Sequence, residues 1–134
     1  MRTIAFTLPE PTPLMNTLMR SHFRKRAKLK RSLAAQIIAA LGPDRPAEPF
    51  ERAHVTIRRF SCGMPDYDGA YGGVKDVLDV MTTPAAREDG TTRNKFGIGL
   101  IRDDSPKHIR LTVEPLKCKR AEQRTEIEIV EVTA

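Results

Sequence analysis

The stretch Ala53-His-Val-Thr-Ile-Arg-Arg-Phe-Ser-Cys-Gly-Met-Pro-Asp-Tyr-Asp-Gly-Ala-Tyr-Gly-Gly-Val-Lys-Asp-Val-Leu-Asp-Val-Met81 changes its periodicity once, and that change decides the fold. Residues 53–62 alternate, with Ala53, Val55 and Ile57 set against His54, Thr56 and Arg58, the period of a half-buried strand. The alternation slips at Arg58-Arg59-Phe60, which predicts a bulge or a local twist. Residues 63–73 are rich in glycine and read as a turn. Val74, Val77, Leu78 and Met81 then recur at i, i+3, i+4 and i+7, the apolar stripe of a short amphipathic helix. A strand, a turn and a helix in one run commit the chain to mixed α and β structure.

Working toward the N-terminus, residues 42–51 form a linker with three prolines. Before it the pattern is helical from Pro13 to Leu41. Met15, Met19, Phe23 and Ala27 step by four, and Leu29, Leu33, Ile37 and Leu41 continue on a neighbouring face. Thr12-Pro13 reads as a cap followed by proline at the first helical position, and Gly42-Pro43 as the stop. An unbroken helix would run about 43 Å at 1.5 Å per residue; Arg20–His22 is the expected place for a break. Ile4, Phe6 and Leu8 alternate with Thr3, Ala5 and Thr7, a first strand ended by Pro9, Pro11 and Pro13. Toward the C-terminus, 83–99 is a long loop of the kind that is either functional or disordered. Residues 107–113 and 124–132 alternate as strands, and the polar stretch Lys117–Gln123 joins them as a hairpin. The expected fold is α+β: a small mixed β-sheet with one long basic helix and one short helix, in the order β-α-β-α-β-β.

The chain has 134 residues, 40% of them apolar, so one domain spanning 1–134 is expected, with a modest core. Trp is absent and aromatics are 5%, so the core must be aliphatic. No apolar run approaches the roughly 20 residues that span a bilayer. No signal peptide is visible, and Cys62 and Cys118 lack metal-type spacing, so they read as free thiols of a soluble cytoplasmic protein. The net charge of +6 is uneven. Residues 1–60 carry 12 Lys/Arg against 4 Asp/Glu, and residues 61–134 carry 11 against 13. A basic half beside an acidic half fits a polyanion surface next to a metal site. The densest run, Arg20–Arg31, holds seven basic residues in twelve: Arg20, Arg24, Lys25, Arg26, Lys28, Lys30 and Arg31. Such a run contacts phosphates without reading sequence, or is a solvated helix face.

The acids of chemical interest are Asp66, Asp68, Asp79, Asp103 and Asp104, with Lys75 among them. Carboxylates converging from separate segments suit a hard cation such as Mg2+ that bridges to a phosphate. A lysine beside them can hold a phosphate as a point charge. Each piece also has an ordinary reading. Two acids at i, i+2 are common in turns, where Asp caps the next helix, and Asp68 can be such a cap. Lys75 and Asp79 can be a plain i,i+4 pair, and Asp103-Asp104-Ser-Pro an ordinary turn. Tyr67 either stacks on a base or packs under the turn. His22, His54 and His108 are dispersed and read as surface or phosphate-contacting residues rather than metal ligands.

Taken together, these residues resemble the RusA-type Holliday junction resolvases of bacteria and their phages. The resemblance covers most of the chain. It rests on Phe6-Thr-Leu-Pro-Glu-Pro, on Pro13-Leu-Met-Asn16 before the basic helix, and on Asp66-x-Asp68 followed by Gly72-Gly73-x-Lys75-x-x-x-Asp79. It also includes Gly99-Leu-Ile-x-Asp103-Asp104. Gly69 stands where the family usually has Asn, a glycine-rich insertion separates Asp68 from Lys75, and the 83–99 loop is longer than in the simplest members. The resemblance implies a homodimeric, Mg2+-dependent endodeoxyribonuclease acting on four-way DNA junctions in recombination and repair, with Mn2+ as a possible substitute metal. It makes Asp66, Asp68 and Asp104 the catalytic metal ligands and Lys75 the essential lysine. Asp103 becomes an alternative or outer ligand and Asp79 a positioning group. Loop cations Arg87, Arg93 and Lys95 either drape over DNA or are solvated. Two alternatives stay open: a non-enzymatic DNA-binding accessory protein, and a nuclease for flaps, forks or RNA hybrids.

Overall fold

The computed structural model describes residues 2–133. Strand β2 (Ala53–Ser61) lies inside a four-stranded mixed sheet of order β1-β6-β2-β5. It pairs antiparallel with β6 (Arg124–Glu131) and in parallel with β5 (Ile109–Lys117); β6 in turn pairs antiparallel with β1 (Thr3–Leu8). The fold is therefore α+β with a mixed sheet. The expected hairpin between the last two strands is not formed. The β5 and β6 strands flank β2 on opposite sides, so the turn at Arg120–Glu122 carries the chain past the end of β2. Pro115 sits on β5, an edge strand, where a missing N–H is tolerated.

The expected bulge in β2 is also absent, because its register with β5 is continuous from Ala53 to Ser61. The alternation does not slip: Ala53, Val55, Ile57, Arg59 and Ser61 all face the core, and Arg59 is a buried cation among them. Its Nε donates to the Thr12 carbonyl at 2.6 Å and its Nη1 to Ser61 Oγ at 2.8 Å. Burial pushes the guanidinium pKa down, and these acceptors offset part of the desolvation. The opposite sheet face is polar. There His54 Nε2 meets Thr112 Oγ1 at 2.9 Å, Arg58 faces Glu114 at 3.5 Å, and Arg124 stacks over Phe60 at 3.8 Å. One apolar and one polar face is the usual pattern of a sheet packed on one side.

The predicted long helix is two helices, α1 (Met15–Arg20) and α2 (Phe23–Leu41). Ser21 turns its hydroxyl back to the Thr17 carbonyl at 2.7 Å and takes an extended backbone. His22 then restarts the helix by accepting the Arg24 N–H on Nδ1 at 3.2 Å. Thr12 is not the cap of α1; Leu14 is, and Thr12 is buried against Arg59. Gly42 ends α2 with φ 51°, as its position predicts. Leu33, Ile37 and Leu41 of α2 join Phe6, Leu8, Val55, Ile57, Ile127 and Ile129 of the sheet in one core. A fully buried side chain such as Ile37 contributes roughly 1.5–3 kcal/mol by transfer alone.

The glycine-rich stretch is helical rather than a turn: α3 spans Tyr67–Gly73 and α4 spans Lys75–Met81. Glycine disfavours a helix, but packing decides here. A Cβ on Gly73 would meet the Pro13 carbonyl oxygen at 1.8 Å, so only glycine lets α3 lie against the turn before α1. The α4 core face is as predicted, with Val74, Val77, Leu78 and Met81 buried. The 83–99 segment is ordered as a small hairpin, β3 (Ala85–Ala86) with β4 (Thr92–Arg93). Beyond it, the N–H of Ile98 donates to Val80 and those of Leu100 and Ile101 donate to Met81, at 2.8–3.0 Å. That strap ties the chain to the end of α4 and so fixes where Asp103-Asp104 emerges. Among the described residues no helix is long and apolar enough to cross a membrane.

Candidate active site

Helix α4 divides its charged side chains. Lys75, at its first position, is exposed, whereas Asp76 and Asp79 are buried at 1% and 8% exposure. Both aspartates face α2. Arg26 grips Asp76 with two bonds, Nη2 to Oδ1 at 2.6 Å and Nε to Oδ2 at 3.2 Å. Lys30 reaches Asp79 Oδ2 at 3.1 Å and Asp76 Oδ1 at 3.9 Å. The hydrogen bond that Arg26 donates to Asp76 raises the Arg26 pKa further, against the opposing effect of burial. Lys75 lies 3.9 Å from Asp79 Oδ1, as the i,i+4 spacing predicts.

This arrangement reassigns part of the basic helix. Arg26 and Lys30 hold α2 to α4, whereas Arg20, Arg24, Lys25, Lys28 and Arg31 are exposed. Nothing in its own local sequence marks Asp76 as one of these partners. The signal for it was present: cations four apart on one helix, Arg26 and Lys30, match acids three apart on another, Asp76 and Asp79.

Between α2, α4 and the β3–β4 hairpin lies an open cleft of about 710 Å3. Lys30, Lys75, Arg87, Arg93 and Lys95 line it, with Asp79 and Phe96. The hairpin thus brings Arg87, Arg93 and Lys95 to the same space as Lys75. A smaller adjoining cleft adds Phe23, which is 70% exposed, and Arg26. Cations rimmed by aromatics are suited to a polyanion with flat bases.

Arg93 links the cleft to the second acidic group. Its Nη1 is 3.4 Å from Asp103 Oδ1, and its Nη2 is 3.7 Å from Asp104 Oδ1. The two neighbouring carboxyls are pushed apart. Burial raises Asp104, and the negative charges of Asp103 and Asp79 raise it further. Burial acts on Asp103 the same way, but the Asp104 N–H, Arg93 and Ser105 outweigh it and hold that carboxyl below its ordinary value. Asp103 Oδ1 is buried without a hydrogen-bond donor.

Asp104 therefore lies within electrostatic reach of both Asp103 and Asp79, with Arg93 bridging the Asp103–Asp104 pair and Lys75 beside Asp79. Asp66 and Asp68 stand apart on α3, both exposed. The helix cap is Asp66 rather than Asp68: its Oδ1 accepts the Gly69 N–H at 2.8 Å. Among the described residues no three His, Cys, Asp or Glu side chains form a ready-made metal cluster. The chemistry of Asp103-Asp104 nonetheless fits Mg2+, which is commonly held by one or two carboxylates plus waters and phosphate oxygens. A buried carboxylate oxygen that is ion-paired to Arg93 but accepts no hydrogen bond, and a carboxyl raised by burial and then by like charge, are what such a cation would relieve. The histidines are engaged elsewhere: His22 caps α2, His54 meets Thr112, and His108 Nδ1 lies 2.9 Å from the Glu51 carbonyl.

No protein-family model matches this chain, and no curated protein matches it closely enough to count as a relative.

Proposed function

We propose that the chain is a Mg2+-dependent endodeoxyribonuclease of the RusA type that resolves four-way DNA junctions as a homodimer. One observation carries the reading: a cleft walled by Lys30, Lys75, Arg87, Arg93 and Lys95 adjoins, through Arg93, the Asp103–Asp104 carboxylates. The cations draw a phosphodiester backbone, and the acids supply what a binding protein does not need. Asp104 and Asp103 would hold the metal, with Mn2+ able to replace it; Asp66 and Asp68, which stand apart on α3, would complete the ligand set by moving toward them when DNA binds. When bound, Mg2+ supplies an activated water and neutralises charge at the scissile phosphate. Lys75 is loosely paired and exposed, so its ammonium is free to engage a phosphate oxygen. Lys30 neutralises Asp79 from the other side at 3.1 Å, so Asp79 can orient Lys75 without immobilising it. Arg93 bridges the two acids and can exchange them for phosphate oxygens, a geometry that suits its planar fork.

A second reading has its own support. Asp66 is a helix cap, and Asp76 and Asp79 are ion-paired, as in an accessory DNA-binding protein whose acids are structural. Incubation of the protein with labelled four-way junction, flap, fork and linear duplex, in Mg2+ or in EDTA, separates the two. Mg2+-dependent cutting of the junction supports the nuclease. Binding without cutting under every metal condition supports the accessory protein, and preferred cutting of flaps or forks changes the substrate.

A further inference from the structure

The two cysteines stand 56 positions apart in sequence but side by side at the ends of neighbouring strands. Parallel strands β2 and β5 pair from Ala53↔Ile109 to Ser61↔Lys117, and Cys62 and Cys118 are the next residue on each. The pairing does not splay there, because the Cys118 N–H donates to the Ser61 carbonyl at 2.9 Å. Adjacent strands run about 4.8 Å apart, inside the roughly 4.4–6.8 Å Cα separation that a disulfide spans. Cys62 is exposed and Cys118 half-buried, so both thiols can be reached from solvent. Partial burial pushes the Cys118 thiol up, and charge on Cys62 adds to that.

We propose that Cys62 and Cys118 are a dithiol modification site, which forms a reversible intramolecular disulfide by exchange with a small-molecule disulfide. The exposed Cys62 thiolate attacks one sulfur of the small molecule and expels a thiolate, leaving a mixed disulfide on Cys62. Deprotonated Cys118 then attacks Cys62 Sγ and expels the second thiolate. One S–S bond breaks and one forms. Two electrons pass to the small-molecule disulfide, which leaves as two thiols after taking up the two protons that the cysteines lose. The raised Cys118 thiol is less often ionised, and its proximity to the mixed disulfide offsets that in the second step.

The position gives the bond a structural consequence. Cys62 opens the short segment Cys62–Pro65 between β2 and Asp66, the cap of α3. Its N–H already donates to Gln123 Oε1 at 3.1 Å, and Ser61 Oγ donates to the Gly63 carbonyl at 2.7 Å. A disulfide would clamp the root of that segment to β5. The strand register alone sets the two cysteines side by side, whether or not the chain is a nuclease.

The test is treatment of the folded chain with oxidised glutathione, followed by intact mass, a non-reducing gel and a thermal melt. The expected product has lost two hydrogens, runs as a single chain, and melts higher by on the order of 10 °C, from the long loop that the bond closes. Dithiothreitol reverses both changes, and Cys62→Ser or Cys118→Ser stops the reaction at one glutathione adduct. Stable adducts on both cysteines, cross-linked chains, unreacted thiols, or a disulfide that lowers the melt would each overturn the proposal.

Discussion

Lys75 is the side chain whose removal best separates chemistry from folding. It lies off the α4 core face, and its 3.9 Å contact with Asp79 is solvent-screened, so its contribution to stability should be well under 1 kcal/mol. If it meets a phosphate in the transition state, its loss should reduce the rate about a hundredfold or more. Lys75→Ala is therefore expected to melt close to the parent and cut junctions very poorly, as a thermal melt beside single-turnover cleavage would record. Lys75→Arg should rescue only in part, since a planar fork does not replace a compact ammonium. A near-parental rate for Lys75→Ala would remove it from the mechanism. The Asp103–Asp104 pair gives a second separation, with a definite sign. Asp104 has a raised carboxyl, so its contribution to stability is full below its unfolded value and is lost as pH rises through the folded one. Asp103 is held low, so its contribution is present above the unfolded value and is lost as pH falls through the folded one. Both windows lie in acid, around the ordinary 3.8. At neutral pH, Asp104→Asn should melt at or above the parent, whereas Asp103→Asn should melt below it. Under the nuclease reading Asp104→Asn should also abolish cleavage. Melting curves that fall equally for both variants would contradict the opposed environments.

At the scale of elements, the α2–α4 contact sorts the basic residues by task. Arg26→Ala leaves Asp76 buried with only Lys30 at 3.9 Å, and losing one partner of a buried pair costs about 3 kcal/mol. A chemical-denaturation midpoint should show that loss. Combined Arg24, Lys25 and Lys28→Ala should leave the midpoint nearly unchanged. It should weaken binding to all DNA and flatten the salt dependence by up to about 0.9 in slope per lost phosphate contact. An unchanged slope would mean that this face looks at solvent. The same contact shows what a sequence does and does not disclose. Period alone located β2 and the core face of α4, because apolar residues at 53, 55 and 57 and at 74, 77, 78 and 81 leave one way to face a core. It missed α3, since glycine propensity argues for a turn and only the approach of Pro13 to Gly73 makes glycine necessary. It misjudged β5 and β6, because alternation reveals a strand but not its neighbour, and the strand between them was fifty residues upstream. Arg59 read as a break in the pattern because a buried cation is unexpected on a core face; its acceptors, the Thr12 carbonyl and Ser61 Oγ, are set by tertiary structure. Of the site, Lys75–Asp79 and Asp103-Asp104 were legible as spacing. That Lys30, Arg26 and Asp76 complete the first, and that Arg93 bridges the second, depended on how α2 and the hairpin pack.

For the whole molecule, the charge asymmetry acquires a place. Arg24 and Arg31 of α2 stand over Phe23 and Phe96 at the rim of the cleft, where the hairpin cations Arg87, Arg93 and Lys95 also lie; Asp79, Asp103 and Asp104 gather beside it, and Glu114 and Glu126 pair on the polar face of the sheet. A junction has two-fold symmetry and is resolved by two nicks, so the proposed homodimer with two such clefts follows from the task. Binding to the backbone without base readout would let shape and flexibility choose the substrate. Cleavage is expected with Mg2+ or Mn2+ and not with Ca2+, whose looser geometry binds without the same demand on the ligands. The most direct measurement is strand-by-strand mapping of the products from a labelled four-way junction, with linear duplex as the control. The account predicts Mg2+-dependent nicks at equivalent positions on two opposing strands and an uncut duplex. Junction bound but uncut in every divalent metal, unpaired nicks, or cutting that persists undiminished in excess EDTA would contradict it.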